Sequence, residues 1–228
     1  MKFTWRTELP ALAIIAAMWS LAAFWWNTTP QQVPVHWGLD GRPDAWGGRA
    51  EGLLLLPAVA TGIFAIFRLA PLLDPGRANY EQFTGVILTL RLSVLAFMAA
   101  IYCAMLGTFR GAEIDMTHFI VPLAGAMLIV IGNLMGKMRP NWFMGVRTPW
   151  TLSSKLSWSR THRAAGWVFI TGGVLLAIAG LSSRSWPLVV ALGFMGAGVL
   201  SLIVYSYIVW KGDPDKVPPA GTAPATEG

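Results

Sequence analysis

The chain has 228 residues, of which 55% are hydrophobic and only 12% charged, and its mean hydropathy is +0.55. Soluble domains carry about 25% charged residues, so this composition excludes an ordinary soluble protein and indicates an integral membrane protein. The net charge of +6 comes from basic residues between apolar runs, where anionic lipid is a nearer partner than nucleic acid. With Cys103 as the single cysteine, a disulfide within the chain is excluded.

Six apolar runs are long enough to span a membrane, since a spanning helix needs about 20 apolar residues. They cover residues 9–26, 52–73, 84–106, 117–135, 164–182 and 187–210. The first run follows Lys2 and Arg6, but it is long and lacks a small-residue cleavage site, which favours an uncleaved span over a signal peptide. The predicted fold class is all-α, a polytopic bundle of six transmembrane helices.

The connections between these runs differ in their Lys and Arg content. The N-terminal segment, the second-to-third and fourth-to-fifth connections and the C-terminal tail hold 11 of these residues, whereas the other connections hold 4. Cytoplasmic loops are enriched in Lys and Arg, so both termini are predicted to be cytoplasmic. The tail over residues 211–228 is rich in Pro, Ala and Gly and is predicted to be disordered.

The longest outer connection covers residues 27–51 and contains several turn-forming residues, so it is predicted to cap the outer face of the bundle. His36 has two acidic residues nearby in sequence, Asp40 and Asp44. Together they suggest either an outer metal or proton site or a simple hydrogen-bonded histidine. Trp46 completes the set of candidate residues on this loop.

Two arginines lie within the apolar runs, where an unpaired charge costs about 2.5–3.5 kcal/mol at the bilayer centre. Arg68 is close enough to the cytoplasmic end of the second run to extend its charge to the headgroups. Arg91 is further inside and either does the same or pairs with Asp74, Glu81 or carbonyls at a helix end. An alternative function as a small transporter or lipid-handling protein would use Arg91 as its charged centre.

The connection over residues 136–163 is the most basic part of the chain. Its six cations are Lys137, Arg139, Arg147, Lys155, Arg160 and Arg163. Thr148 and Pro149 fit an N-cap followed by proline in the first helical turn. A helix over residues 153–163 is predicted to lie in the membrane interface, anchored by Trp150 and Trp158.

The density of Pro, Asn, Thr and Gly between Met138 and Thr151 exceeds what an interfacial anchor needs and indicates a loop of specified shape. Arg139 and Arg147 are predicted to bind either helix carbonyls or the acidic surface of a partner. Asn133 is predicted to form an interhelical hydrogen bond or a local C-cap. Glycine pairs at Gly172-Gly173 and glycines at 193, 196 and 198 suggest close helix packing.

No known catalytic pattern is present in the sequence. It contains no H-E-x-x-H, G-x-S-x-G or P-loop lysine pattern. On the predicted topology, His162 lies on the opposite side of the membrane from His36 and His118. We therefore predict no catalytic residues, no metal site and no cofactor, and a protein that is not an enzyme.

The basic connection contains a motif that resembles a known family. The pattern GN-x-M-x-K-M-R-P-N-W-F-x-G-V-R-T-P-W-T-L-S, followed by W-x-x-T-H-R-x-x-G, is similar to the SdpI family of bacterial membrane proteins. The outer stretch VPVHWGLDGRPDAWGGR resembles an uncharacterised N-terminal domain that often precedes this motif. The positions to which the resemblance extends are Asn133, Arg139, Pro140, Asn141, Gly145, Arg147, Thr148, Pro149, Trp150, Thr151, Trp158, Thr161, His162, Arg163 and Gly166.

The resemblance implies a division into residues 1–83, a two-span hairpin, and residues 84–210, an SdpI-like four-span region. It also implies a bacterial inner-membrane protein that confers immunity to a membrane-active peptide toxin. In the founding member of the family, the protein additionally holds a small winged-helix repressor at the membrane. The outer loop would meet the toxin, and the basic loop would meet the repressor or lipid, with no direct nucleic-acid contact. A purely structural protein that stabilises a partner complex is a further alternative.

Overall fold

The computed structural model describes residues 4–182 and 184–217. Its long helices are α1 (Trp5–Trp25), α2 (Arg49–Leu73), α3 (Thr84–Phe109), α4 (Met116–Met135), α6 (Lys155–Gly180) and α7 (Trp186–Lys211). All six contain a stretch long and apolar enough to cross a membrane, so the predicted six-span helical fold is confirmed. A short helix, α5 (Pro149–Leu152), and a 3-10 helix (Arg77–Phe83) lie in the connections.

Local sequence determines where several helices begin. Asp115 precedes α4, and its carboxylate accepts a hydrogen bond of 2.9 Å from the His118 N–H. Ser154 precedes α6, and its hydroxyl accepts one of 2.8 Å from the Ser157 N–H. Such caps satisfy backbone donors that have no partner in the first helical turn.

The predicted separate helix over residues 153–163 is wrong. Its residues form the first turns of α6, which continues without a break into the fifth span. The sequence Lys155–Gly180 contains no proline, and its first glycine is Gly166 in the packed interior, so nothing ends the helix at residue 163. The N-cap of this helix is Ser154.

The connection between α1 and α2 folds into a small antiparallel hairpin. Its strands are β1 (Gln32–Trp37) and β2 (Pro43–Gly48), joined through a turn in which Gly41 has a φ of +75°. Glycine adopts this left-handed conformation without steric cost. The turn contacts the start of α4, because the Thr117 hydroxyl donates to the Gly38 carbonyl at 3.1 Å. This two-stranded sheet is an addition to the predicted all-α fold.

The closest helix pair is α4 and α6, which pack antiparallel through glycines spaced seven residues apart. A Cβ added to Gly132 would lie 2.8 Å from the Gly166 carbonyl oxygen, and one added to Gly125 would lie 2.5 Å from that of Gly173. Side chains would not fit at these distances, so the glycines allow the two backbones to touch. This contact positions the start of α6 against the end of α4.

The glycines that the sequence singled out for packing divide into two groups. Those at 172, 173 and 198 have neighbouring atoms within van der Waals distance of an added Cβ, whereas those at 193 and 196 face open space. The packing prediction is therefore wrong for Gly193 and Gly196. Both lie on the face of α7 that points away from the other helices.

The segment predicted to be disordered begins at residue 211, and its first residues are instead packed against the bundle. Lys211 ends α7, and Asp213 is 4% exposed. The Val217 N–H donates to the Ser153 carbonyl at 2.9 Å. Polar contacts with the α5–α6 junction therefore correct the prediction for residues 211–217. Residues 218–228 lie outside the described part of the chain.

Candidate functional site

The candidate site is the connection between α4 and α6, residues 136–154, which we call the central loop. It lies on the face that also holds residues 74–83 and 211–217, here called the basic face. The β-hairpin and the residues between α3 and α4 form the opposite end, the hairpin face. The site residues predicted from the basic motif all belong to the central loop or to the helix turns beside it.

Asn141 shapes the first turn of the central loop. It is 1% exposed, and its Oδ1 accepts hydrogen bonds from the N–H groups of Phe143 at 3.0 Å and Met144 at 2.7 Å. Its Nδ2 donates to the Arg139 carbonyl at 2.9 Å. This arrangement uses every polar atom of the side chain within the loop, so Asn141 acts on loop shape.

A second anchor joins the central loop to the connection between α2 and α3. Asp74 is 1% exposed, and one of its carboxylate oxygens accepts from the Trp142 N–H at 2.9 Å and from the Tyr80 hydroxyl at 2.6 Å. The Asn79 amide donates to the Pro140 carbonyl at 2.8 Å. Sequence reasoning missed this anchor as a part of the site, because 68 positions separate Asp74 from Trp142.

Trp158 and His162 form the floor of the central loop. The two rings stack with centroids 4.0 Å apart, and the Trp158 indole N–H donates to the Met138 carbonyl at 3.0 Å. His162 Nδ1 lies 2.8 Å from the Trp158 carbonyl, and its Nε2 accepts from the Val146 N–H at 3.1 Å. A carbonyl on one nitrogen and an N–H on the other select the neutral imidazole with its proton on Nδ1.

The position of Trp158 contradicts its predicted role as an interfacial anchor. The side chain is only 2% exposed and lies under the loop, because it fills the space between Met138 and His162. Gly145 passes directly over this floor with a φ of +98°, and a Cβ there would lie 2.2 Å from His162 Nε2. Gly145 is required by both the backbone conformation and the contact.

The second half of the loop confirms the predicted helix start at Thr148 and Pro149. Thr148 and Thr151 form a reciprocal capping box around α5, with Pro149 in the first turn. The Thr148 hydroxyl also lies 3.0 Å from that of Ser206 in α7, so the loop is fixed to the last span. Trp150 is half-buried and contacts the Tyr207 ring edge-on at 5.3 Å.

Thr161 and Gly166 are buried within α6, whereas most of the remaining predicted residues lie at the surface. All six cations of the basic motif are exposed, and so are the rings of Trp142 (54%) and Phe143 (38%). Pro149 is exposed and Pro140 is half-buried. Arg147 donates to the Trp142 carbonyl and thereby holds the turn that presents this ring. Asn133 donates to the Ile129 carbonyl of its own helix, so it forms neither the predicted interhelical bond nor a C-cap.

A cavity of about 1520 Å³ opens on the basic face beside the central loop. Arg139, Arg147, Lys155 and Trp142 line it, together with Asp213 and Asp215 of the chain end. Among the described residues, no group of three or more His, Cys, Asp or Glu residues is arranged to hold a metal ion. The chemistry that the cavity offers is cationic and aromatic, which suits an acidic or amphipathic ligand.

On the hairpin face, the structure brings His36 and Asp44 together, with Nδ1 and Oδ1 2.5 Å apart at a mostly exposed position. Asp40 instead accepts from the Arg42 N–H at 3.2 Å. Trp46 is 62% exposed, next to a cavity of about 730 Å³. Of the two interpretations of His36, the geometry matches the hydrogen-bonded loop histidine.

Asp115 adds a charge to this face. Hydrogen bonding from the His118 N–H holds the pKa of its carboxyl below the ordinary value, so the helix cap is charged.

Arg91 lies within the bundle and is 2% exposed. Its guanidinium donates to both carboxylate oxygens of Glu8, at 3.0 and 3.1 Å, and to the Thr7 carbonyl at 3.0 Å. The predicted carboxylate partners, Asp74 and Glu81, are wrong, because α1 supplies Glu8 at the same depth as Arg91. A guanidinium paired in this way needs no transported anion, so its geometry gives no support to the transporter alternative.

Comparisons with known proteins agree with this architecture. Residues 137–206, from the central loop into α7, match the SdpI/YfhL protein family. The chain carries an SdpI/YfhL family region. The resemblance inferred from the basic motif is confirmed, and residues 13–61 additionally match a domain of unknown function, DUF1648.

Among curated proteins, the chain is 18% identical over 206 residues to Immunity protein SdpI of Bacillus subtilis (strain 168). That alignment covers 90% of this chain and 97% of the relative. The chain is also 44% identical over 48 residues to an uncharacterised protein of Archaeoglobus fulgidus, and this second alignment covers 21% of the chain and 26% of that relative. No solved structure matches the chain. Together with the six apolar helices, these similarities support a multi-pass membrane protein that resembles Immunity protein SdpI.

Proposed function

We propose that the protein resides in a bacterial cytoplasmic membrane and confers immunity to a membrane-active peptide toxin. The observation that carries this proposal is the similarity to Immunity protein SdpI along 90% of the chain, including both faces of the bundle. The distribution of Lys and Arg predicts that the hairpin face lies outside the cell. An arriving peptide would first meet its exposed Trp46 and the neighbouring cavity.

Expression in a toxin-sensitive strain tests immunity. Cells that produce the protein are expected to survive toxin concentrations that kill cells with an empty vector. A Trp46→Ala variant is expected to reduce survival, whereas Trp186→Ala, an exposed tryptophan at the start of α7, is the matched control. Unchanged killing, with the wild-type protein detected in the membrane fraction, would contradict the proposal.

We further propose that the central loop binds an acidic surface of a small transcriptional repressor and holds it at the membrane. Two properties support this role. Buried contacts from Asp74, Asn141 and His162 fix the loop backbone, so little ordering entropy is lost on binding. The exposed Arg139 and Arg147 and the Trp142 ring are of the residue types enriched at interface centres.

Co-fractionation of a small winged-helix regulator that is co-expressed with the protein tests this second role. The regulator is expected in the membrane fraction with the wild-type protein and in the soluble fraction with Arg147→Ala. Arg184→Ala removes an equal charge from an exposed site on the hairpin face and is the control. Equal release by both variants would indicate a general charge effect and overturn the assignment to the loop.

A further inference from the structure

Residues after α7 fold back onto the central loop. Asp213 is 4% exposed, and its Oδ2 accepts a hydrogen bond of 2.5 Å from the hydroxyl of Ser154, the N-cap of α6. Four residues later, the Val217 N–H donates to the Ser153 carbonyl at 2.9 Å. The chain end therefore makes one charged contact and one main-chain contact with the α5–α6 junction.

This chain end occupies part of the cavity on the basic face. Asp213, Asp215 and Val217 line the same space of about 1520 Å³ as Arg139 and Lys155. Within residues 4–182 and 184–217, no carboxylate forms an ion pair with Arg139, Arg147 or Lys155. The cavity thus holds a short acidic segment at one edge and keeps three cations available for further carboxylates.

We propose that the cavity is a binding site for an acidic peptide segment of a partner protein, and that residues 213–217 are an intramolecular competitor for it. The identity of that partner as the regulator rests on the proposed function, whereas the competition itself does not. The bound chain end defines the chemistry of the ligand: a carboxylate for Ser154, a peptide N–H for the Ser153 carbonyl, and further acidic groups for the cations.

The main-chain contact distinguishes a peptide from other anions. The Ser153 carbonyl accepts a peptide N–H from the docked chain end, whereas the phosphate group of a lipid has no donor to offer it. The Ser154 hydroxyl also holds the pKa of Asp213 below its ordinary value, so the docked carboxylate is charged at neutral pH.

Tethering makes the chain end an effective competitor even if its contacts are weak. A segment joined by a short linker has an effective concentration of about 1 mM. If the segment itself binds with a Kd of about 0.1 mM, it weakens the binding of any free peptide to the same site by about tenfold. Release of the chain end is therefore expected to strengthen binding of an added acidic peptide by about tenfold.

The test uses the full chain in nanodiscs of zwitterionic lipid and a fluorescent peptide that copies residues 212–217, Gly-Asp-Pro-Asp-Lys-Val. Fluorescence anisotropy with Asp213→Ala is expected to give about tenfold tighter binding than the wild type. Asp44→Ala is the matched control, because it removes an equal charge from an exposed side chain on the hairpin face, away from this cavity. Equal affinities for the wild type and Asp213→Ala would overturn the proposal.

Two further variants locate the binding. In the Asp213→Ala background, Lys155→Glu removes a cation that lines the cavity, whereas Lys137→Glu makes the same change at an exposed residue outside it. Only the first is expected to weaken binding tenfold or more. Equal loss with both would indicate unspecific charge attraction and overturn the site.

Lipid composition separates the two sources of anionic groups. If the gain with Asp213→Ala disappears in nanodiscs that contain phosphatidylglycerol, headgroups fill the cavity and the peptide assignment is overturned. The assay contains neither toxin nor regulator. If Asp213→Ala still binds the peptide more tightly but the regulator does not co-fractionate with the membrane, only the proposed function is contradicted. If the regulator co-fractionates but Asp213→Ala binds the peptide no more tightly than the wild type, only this inference is contradicted.

Discussion

The central loop and the β-hairpin are the two elaborated connections of the bundle, and they are held in different ways. The loop depends on buried side chains that bond to backbone groups distant in sequence, as Asp74 does with Trp142 and His162 with Val146. The hairpin depends on pairing between its own adjacent strands, and the side chains of His36 and Asp44 remain largely exposed. Replacing a single side chain should therefore lower the stability of the protein substantially in the loop and only slightly in the hairpin.

The largest expected effect is at Asp74. Asp74→Ala leaves the Tyr80 hydroxyl and the N–H groups of Gly76 and Trp142 without their acceptor. Unsatisfied buried groups cost about 1–3 kcal/mol each, so we expect the free energy of unfolding to fall by about 3 kcal/mol. Asp44→Ala, in the exposed pair of the hairpin, is expected to cost less than about 1 kcal/mol. Denaturant titration in detergent micelles measures both, and equal losses would remove the contrast between the two regions.

A smaller effect is expected at Gly145. Alanine there has an unfavourable positive φ and a Cβ placed 2.2 Å from His162 Nε2. Gly111→Ala is the matched control, because Gly111 has a similar φ of +86° but no atom near an added Cβ. Placing alanine at a positive φ costs about 1 kcal/mol of stability in both variants. The additional loss of stability in Gly145→Ala therefore measures the clash of the new Cβ with His162. Identical melting temperatures for the two variants would show that the His162 ring moves aside at no measurable cost in stability.

The smallest effect concerns the helix cap on the hairpin face. Asp115→Ala removes the acceptor for the His118 N–H and is expected to cost about 1 kcal/mol at pH 7. The pKa of Asp115 is lowered in the folded protein, so its contribution is present above the ordinary pKa of about 3.9 and is lost as the pH falls through the lowered value. The difference in melting temperature between wild type and variant should begin to shrink as the pH falls below about 4, and a constant difference down to about pH 2 would contradict this cause.

The sequence predicted the parts of this architecture that depend on local patterns. The six spans follow from runs of apolar residues, and the start of α5 follows from Thr148 and Pro149, which act within one turn. The exposed cations of the loop were also predictable, since charged side chains between spans stay in water.

Contacts between distant segments were not predictable from local patterns. Glu8 and Arg91 are 83 positions apart, and the hydrogen bond from Trp158 to Met138 spans 20. Trp158 was assigned to the interface because tryptophan is common there, whereas the stacking with His162 and the close α4–α6 packing place it inside. The role of Asp213 had no local signal, because its partner Ser154 lies 59 positions earlier.

The two faces of the bundle are proposed to meet different partners, and Trp46 and Trp142 allow a direct comparison between them. Both rings are more than half exposed, at 62% and 54%, on opposite faces. A photo-crosslinking amino acid at position 46 or 142, in cells exposed to toxin and producing the regulator, reports which partner lies beside each residue. We expect toxin adducts at 46 and regulator adducts at 142. Toxin adducts at 142, or no regulator adduct there with the protein inserted in the membrane, would contradict the account.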